Sequence, residues 1–330
     1  MYFVYLYMVK KKLALLVGLN YPGDTSYMLN ASYNDVLLVK KHLVDNEDFR
    51  NEDILILTDK NPQDTAFYAT FYNIVTRIKE IIEIAKSDDL IFFYFSGHGS
   101  QITDNNGDER DSMDECFVPA DYTKNIITDD LIYDLFSKAN CSILSIFDCC
   151  SSGGMSDLKY KFSLNPYTLT NNLSINDESK DIVCLSSSSD SKDSYEQVLP
   201  TALGRVKWFS IYTYNIIRHL STNQESFDTF MDYCHKDDIL KNSCISFSNL
   251  KLKKSIIFES FDVEDLENDI EDINDNIVLR GKMNDVIKTN KKLKKDIIKL
   301  NNTISKYESA LRVRSGGSLN PFSQLLYKIN

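Results

Sequence analysis

Two residues of this chain have the type and setting for nucleophilic catalysis: His98 in Ser96-Gly97-His98-Gly99, and Cys150 in Asp148-Cys149-Cys150-Ser151-Ser152-Gly153-Gly154. A thiol beside an imidazole is the smallest cysteine nucleophile, because the ring either removes the thiol proton or holds the thiolate as an ion pair. Glycines at 97, 99, 153 and 154 let the main chain approach a substrate and aim N–H groups at a developing oxyanion.

A pair so far apart in sequence needs a scaffold that brings it together. Both motifs follow short apolar runs, residues 90–95 and 143–147, with the pattern of strands buried on both faces of a parallel sheet. Each run stops at Gly and Ser, so the chain turns at the carboxyl end of the strand, where open α/β sheets bind ligands. Neighbouring strands lie about 4.8 Å apart, which would put His98 and Cys150 within reach of each other.

The flanking sequence predicts the rest of that sheet. Residues 12–18 and 53–57 read as strands. Helices are expected from Asn34-Asp35 through Leu43, with Asp35 as cap, over 67–85, and from a Thr128 cap through Phe136. Strands alternating with helices give an α/β, mostly parallel, doubly wound sheet with helices on both faces. Residues 157–181 are polar and weakly periodic and read as a surface linker. Residues 182–185 read as a fifth strand running into Ser186 to Ser189, 205–220 as a helix and 244–247 as a sixth strand.

Beyond about residue 250 the pattern changes. Val263, Leu266, Ile270, Ile273 and Ile277 fall at a/d spacing, and after a skip near Gly281 so do Met283, Val286, Leu293, Ile297, Leu300, Ile304 and Leu311. This is either a coiled-coil seam broken once, with Asn290 fixing register, or a helical hairpin bent at Gly281. A seam would offer a surface for self-association or a partner helix. The tail from 313, with Ser315-Gly316-Gly317-Ser318, reads as flexible.

Composition narrows the class. The chain has 330 residues, 43% of them apolar, and a net charge of −11. That suffices for a sizeable core, argues against nucleic acid or an anionic membrane as partner, and suits cationic substrates. Seven cysteines without a C-x-x-C pair read as free thiols in a reducing, cytoplasmic setting. Residues 1–8 are apolar but too short to span a bilayer and carry no charged n-region.

Ser96-Gly97-His98-Gly99 followed by Asp148-Cys149-Cys150-Ser151-Ser152-Gly153 resembles the metacaspases, caspase-like cysteine peptidases. A histidine roughly 50 residues ahead of the cysteine is also the caspase spacing. The resemblance spans about 10–250 and is specific around 93–157. One departure is Ser151, where the family usually has histidine after the nucleophile; local packing and rate are what that puts in question.

The resemblance implies a caspase-like domain over 1–250, with a large part at about 10–157, a linker at 158–181 and a small part at 182–250, before the helical extension at 251–312. It implies cleavage of protein or peptide substrates after Arg or Lys, with Cys150 as nucleophile, His98 as base, and the N–H groups of Gly99 and Cys150 as oxyanion donors. Asp35, Ser96 and Asp148 match the family's substrate pocket, where two carboxylates suit a guanidinium or ammonium and repel Asp. The alternative for Asp35 is a helix cap alone. Asp114, Asp129, Asp130 and Asp157 stand where calcium-dependent members place their aspartates, which implies activating Ca²⁺ and no organic cofactor. Residues 104–115 are dense in oxygen ligands but are not an EF-hand, because Gly107 falls at the fourth place. Lys159, Lys161 and Lys180 are positions where self-processing would cut. No Pro/Gln-rich or zinc-finger prodomain is read ahead of the first strand. His42, His219 and His235 are expected to be structural, and Cys149, pointing away from its neighbour, to have no catalytic role. The competing reading is a catalytically weak or inactive scaffold that binds partners through its C-terminal helices.

Overall fold

The structure, a computed structural model, describes residues 11–104, 112–165, 167–171, 180–188, 194–200, 206–222, 233–238 and 240–248. In chain order the elements are β1 (Lys12–Gly18), α1 (Ser32–Asn46), β2 (Ile54–Thr58), α2 (Phe71–Ile84), β3 (Leu90–Ser96), β4 (Gly99–Thr103), β5 (Met113–Phe117), β6 (Ile127–Thr128), α3 (Asp129–Phe136) and β7 (Ser142–Asp148). There follow β8 (Tyr160–Leu164), β9 (Tyr167–Asn171), β10 (Ile182–Ser186), β11 (Glu196–Pro200), β12 (Val206–Ser210), α4 (Ile211–Thr222) and β13 (Cys244–Phe247).

The main sheet has the order β2-β1-β3-β7-β10-β13-β8-β9. Pairing is parallel from β2 to β10 and antiparallel from there to the β9 edge. Side chains alternate along each strand, so the apolar runs feed two cores. Leu15, Val17, Ile91, Phe93 and Phe95 pack with Ile74 and Ile78 of α2 and with Ile132 and Phe136 of α3. Ala14, Leu16, Phe92 and Tyr94 pack with Val36, Val39 and Leu43 of α1 and with Tyr212 and Ile216 of α4. Burying each large apolar side chain contributes roughly 1.5–3 kcal/mol, and the expected doubly wound α/β layout with helices on both faces follows.

Threonine hydroxyls start two of the helices. Thr70 Oγ1 accepts the N–H of Asn73, and Thr128 Oγ1 accepts that of Leu131, the cap expected for α3. Asp35 is different: α1 begins at Ser32, Ala31 holds the cap position without a side-chain bond, and Asp35 lies inside the first turn. The N–H groups of Asn30 and Ala31 are bound instead by the carboxylate of Glu196, a partner far away in sequence.

Two further expectations are corrected. The supposed linker carries β8 and β9, which extend the main sheet because Phe162 and Leu164 point into the core on alternate positions. The predicted helix from 205 starts only at Ile211; residues 206–210 pair antiparallel with β11, and that cross-strand pairing overrides the helical spacing. β11, β4, β5 and the two-residue β6 had no clear sequence signal.

The chain divides into the units Met1–Glu267 and Asn268–Asn330. The heptad-like region 263–311, the tail, residues 105–111 of the acidic loop and residues 172–179 of the linker lie outside the described residues. Among the described residues no helix is long and apolar enough to cross a membrane.

Candidate active site

β3 and β7 are parallel neighbours in a register that sets Ser96 opposite Asp148. Two residues beyond each of these come His98 and Cys150, and both border one cleft with about 420 Å³ of empty space. The main chains converge beyond the strands as well. Gly97 donates its N–H to the carbonyl of Asp148 at 3.3 Å. A Cβ on Gly99 would stand 2.0 Å from the carbonyl oxygen of Cys150, so only glycine permits this approach.

The imidazole is held from three sides. Its Nε2 lies 2.6 Å from the carbonyl oxygen of Tyr27. A carbonyl can only accept, so Nε2 carries the proton and Nδ1 is the basic nitrogen. The Tyr21 ring lies against the imidazole with centroids 4.8 Å apart, and the Tyr27 ring meets it edge-on at 6.1 Å. Tyr21 has φ of 52°, an uncommon value for an aromatic residue. Asp59 Oδ2 maintains that turn by accepting the N–H groups of Asn20 and Tyr21.

Serine hydroxyls fix the turn that carries the nucleophile. Ser187 and Ser188 both donate to the carbonyl of Cys149, at 3.0 and 3.1 Å, and Ser187 Oγ accepts the N–H of Cys149. Cys149 is 1% exposed in the apolar core, facing away from the cleft, whereas Cys150 is partly exposed. The N–H of Ser194 points at Cys150 Sγ from 3.4 Å. Ser151, at the position where the family usually has histidine, takes φ of 50°.

Below the thiol lie the acids. Asp35 is fully buried; Ser96 Oγ donates to one of its oxygens at 3.1 Å and the Ser210 N–H to the other at 3.0 Å. Burial pushes its carboxyl well above the usual range and the Asp148 charge adds to this, while the bonds from Ser210 and Ser96 oppose it. Asp148 is 3% exposed and accepts from Ser194 Oγ at 2.7 Å and from the N–H and hydroxyl of Thr213. The structure thus brings Asp35, Ser96, His98, Asp148 and Cys150 to one cleft. It adds a residue that the sequence did not single out, Glu196, whose neighbours Ser194 and Tyr195 also border the cleft.

The aspartates expected at calcium are placed less uniformly. Asp114 on β5 is buried, as is Asp129 at the start of α3; Asp130 follows in the same turn, and Asp157, at φ of 42°, ends the segment after the nucleophile. Burial, with the charges of Glu115 and Asp114, pushes Asp129 up to about 8, and its oxygens accept the N–H groups of Glu115 and Asp130. Among the described residues no three His, Cys, Asp or Glu side chains are grouped as they would be around a metal ion.

The other histidines sit away from the cleft lining: His42 is buried 3.5 Å from Glu47, His219 stacks on Tyr233 at 3.7 Å, and His235 Nδ1 lies 2.9 Å from the Leu164 carbonyl.

Residues 11–159 match the family model described as metacaspase, peptidase C14 domain. Metacaspase-1 of Yarrowia lipolytica is 37% identical over 157 residues, which is 46% of this chain and 34% of that protein. Metacaspase-7 of Arabidopsis thaliana is 42% identical over 149 residues, 44% of this chain and 36% of that protein. The chain thus matches only about a third of the length of these curated relatives. Among solved structures, caspase-1 from Spodoptera frugiperda aligns with 72% of this chain and 87% of its own at 13% identity and a TM-score of 0.43. By its sequence, segment 11–159 is similar to the metacaspase peptidase C14 domain.

Proposed function

We propose that this chain is a cysteine endopeptidase that cleaves after Arg or Lys. The observation that carries the reading is the arrival of His98 and Cys150 at one cleft above the buried carboxylates of Asp35 and Asp148. His98 Nδ1 takes the proton of Cys150, and the thiolate, facing the N–H of Ser194, attacks the carbonyl after the basic residue. The N–H groups of Gly99 and Cys150 receive the oxyanion. The tetrahedral intermediate collapses as His98 returns the proton to the leaving amine, which leaves a thioester on Cys150; water, deprotonated by His98, then hydrolyses it. The cation of the substrate is held by the acids beneath the thiol.

Calcium enters as an activator bound by Asp114, Asp129, Asp130 and Asp157, which would tie the segment after Cys150 to β5 and α3. No step of the mechanism passes through it. Self-processing, if it follows the same specificity, is expected at Lys159 or Lys180 rather than at Lys161, which lies within paired β8. Seven cysteines without a disulfide suit the reducing cytoplasm.

The test is hydrolysis of fluorogenic Arg and Lys peptides by the full chain, with millimolar Ca²⁺ or with a chelator, beside Cys150→Ala and His98→Ala. Cleavage after Arg or Lys that both substitutions abolish is expected. Cleavage unaffected by Cys150→Ala, or its complete absence under every condition, rejects the peptidase reading and favours the scaffold. Identical rates with calcium and with chelator reject the activator role alone.

A further inference from the structure

Three carboxylates surround the cleft, and they are not equivalent. Asp35 and Asp148 are buried; each oxygen of Asp35 accepts one donor from the fold, and Asp148 accepts two on Oδ2 and one on Oδ1, which keeps room for another. Glu196, the first residue of β11, is only half-buried and borders the cleft. Its Oε2 accepts the N–H groups of Asn30 and Ala31 at 2.8 and 2.9 Å, and its Oε1 accepts Asn30 Nδ2 at 2.8 Å. Three bonds to one short segment fix the carboxylate without supplying a counter-charge, and Oε1 keeps capacity for another donor. Among the described residues no Lys or Arg forms an ion pair with Glu196, Asp35 or Asp148.

Two fixed anions bordering one cleft suit a planar fork of donors better than a point charge. A guanidinium can bond Asp148 with one edge and Glu196 with another, while an ammonium on a flexible stem gains less from the second partner and loses more hydration. Resting on the reading of this cleft as the pocket for a basic side chain, we propose that Glu196 is a specificity-determining residue that acts with Asp148 to make the site prefer arginine over lysine.

The test does not require turnover. Cys150 is the only cysteine that is not buried, so its alkylation by iodoacetamide, followed by mass spectrometry in the full chain, reports occupancy of the cleft. The probes are n-butylguanidine and n-butylamine, compared in wild type, Glu196→Gln and Asn30→Ala. In wild type, guanidine is expected to protect Cys150 at about tenfold lower concentration than amine. Glu196→Gln removes most of that difference; Asn30→Ala, which loosens the same loop but keeps the charge, leaves it in place. Where activity is present, the Arg-to-Lys ratio of kcat/KM falls in parallel. An unchanged guanidine preference in Glu196→Gln overturns the assignment while the basic pocket stands. Equal loss in Asn30→Ala assigns Glu196 a purely structural role and overturns it too. Failure of both probes to protect wild type overturns both the assignment and the pocket.

Discussion

The hydroxyl of Tyr21 accepts the main-chain N–H of His98 at 3.0 Å and donates to the carbonyl of Val118 at 2.7 Å. The same residue lays its ring against the imidazole, so one side chain sets both the height and the plane of the base.

Tyr21→Phe keeps the ring and removes the hydroxyl, leaving a half-buried N–H and a half-buried carbonyl without this partner. The expected cost is about 1 kcal/mol of stability, read as a lower midpoint in urea. A misaligned base slows proton transfer without touching substrate affinity, so kcat should fall about tenfold with KM unchanged. A rise in KM at constant kcat would contradict a role in positioning His98.

Gly99→Ala tests the convergence of the two motifs. Its Cβ would lie 2.0 Å from the Cys150 carbonyl and 2.9 Å from Cys149 Sγ. The first clash is with main chain, which no rotamer change relieves. The substitution should push β4 away from the nucleophile's turn, lower the melting temperature and abolish hydrolysis; overpacking of this kind costs roughly 1–3 kcal/mol or more. A variant with native melting temperature and rate would show that the turn is free to move.

Much of the site was legible because its chemistry sits where apolar runs stop. The runs at 90–95 and 143–147 identified the two strands, the spacing of neighbouring strands predicted the meeting of His98 and Cys150 beyond them, and alternation predicted that Cys149 would face away. What was not legible is long-range. Nothing near Ala31 shows that Glu196 will satisfy the entrance to α1, and nothing near His98 points to Tyr21 or to the Tyr27 carbonyl, which arrive on a separate loop. The β11 and β12 pair was missed for the same reason, since residues 206–210 read equally well as the first turns of α4 until a partner strand is known.

Asp35 should leave a pH signature in stability. Its pKa in the fold is raised well above 3.8, first by burial and then by Asp148. The folded state therefore keeps a proton that the unfolded chain has released, and the stability present at low pH is lost as pH rises from about 4 toward the raised value. The slope contributed is at most about 1.4 kcal/mol per pH unit. Asp35→Asn removes the ionisation, so its urea midpoint should gain on wild type steadily between pH 4.5 and 8. Parallel curves would mean that Asp35 ionises freely in the fold.

The adjacent thiols should behave as chemically distinct groups. Burial, with the Asp148 charge added to it, pushes the Cys149 thiol well above its ordinary value, so the folded protein holds it protonated across the usual assay range. A protonated thiol enclosed in apolar packing is neither nucleophilic nor reachable. Cys149→Ala is expected to keep hydrolysis within a few-fold of wild type and to lose only a modest amount of stability, from the small cavity it leaves. Cys150→Ser, which preserves shape and replaces sulfur with oxygen, should remove activity almost completely. Iodoacetamide at pH 7 should label Cys150 and leave Cys149 untouched until the protein is unfolded, when both react alike. Rapid labelling of Cys149 in the native protein would place that thiol at the surface and dissolve the distinction between the two.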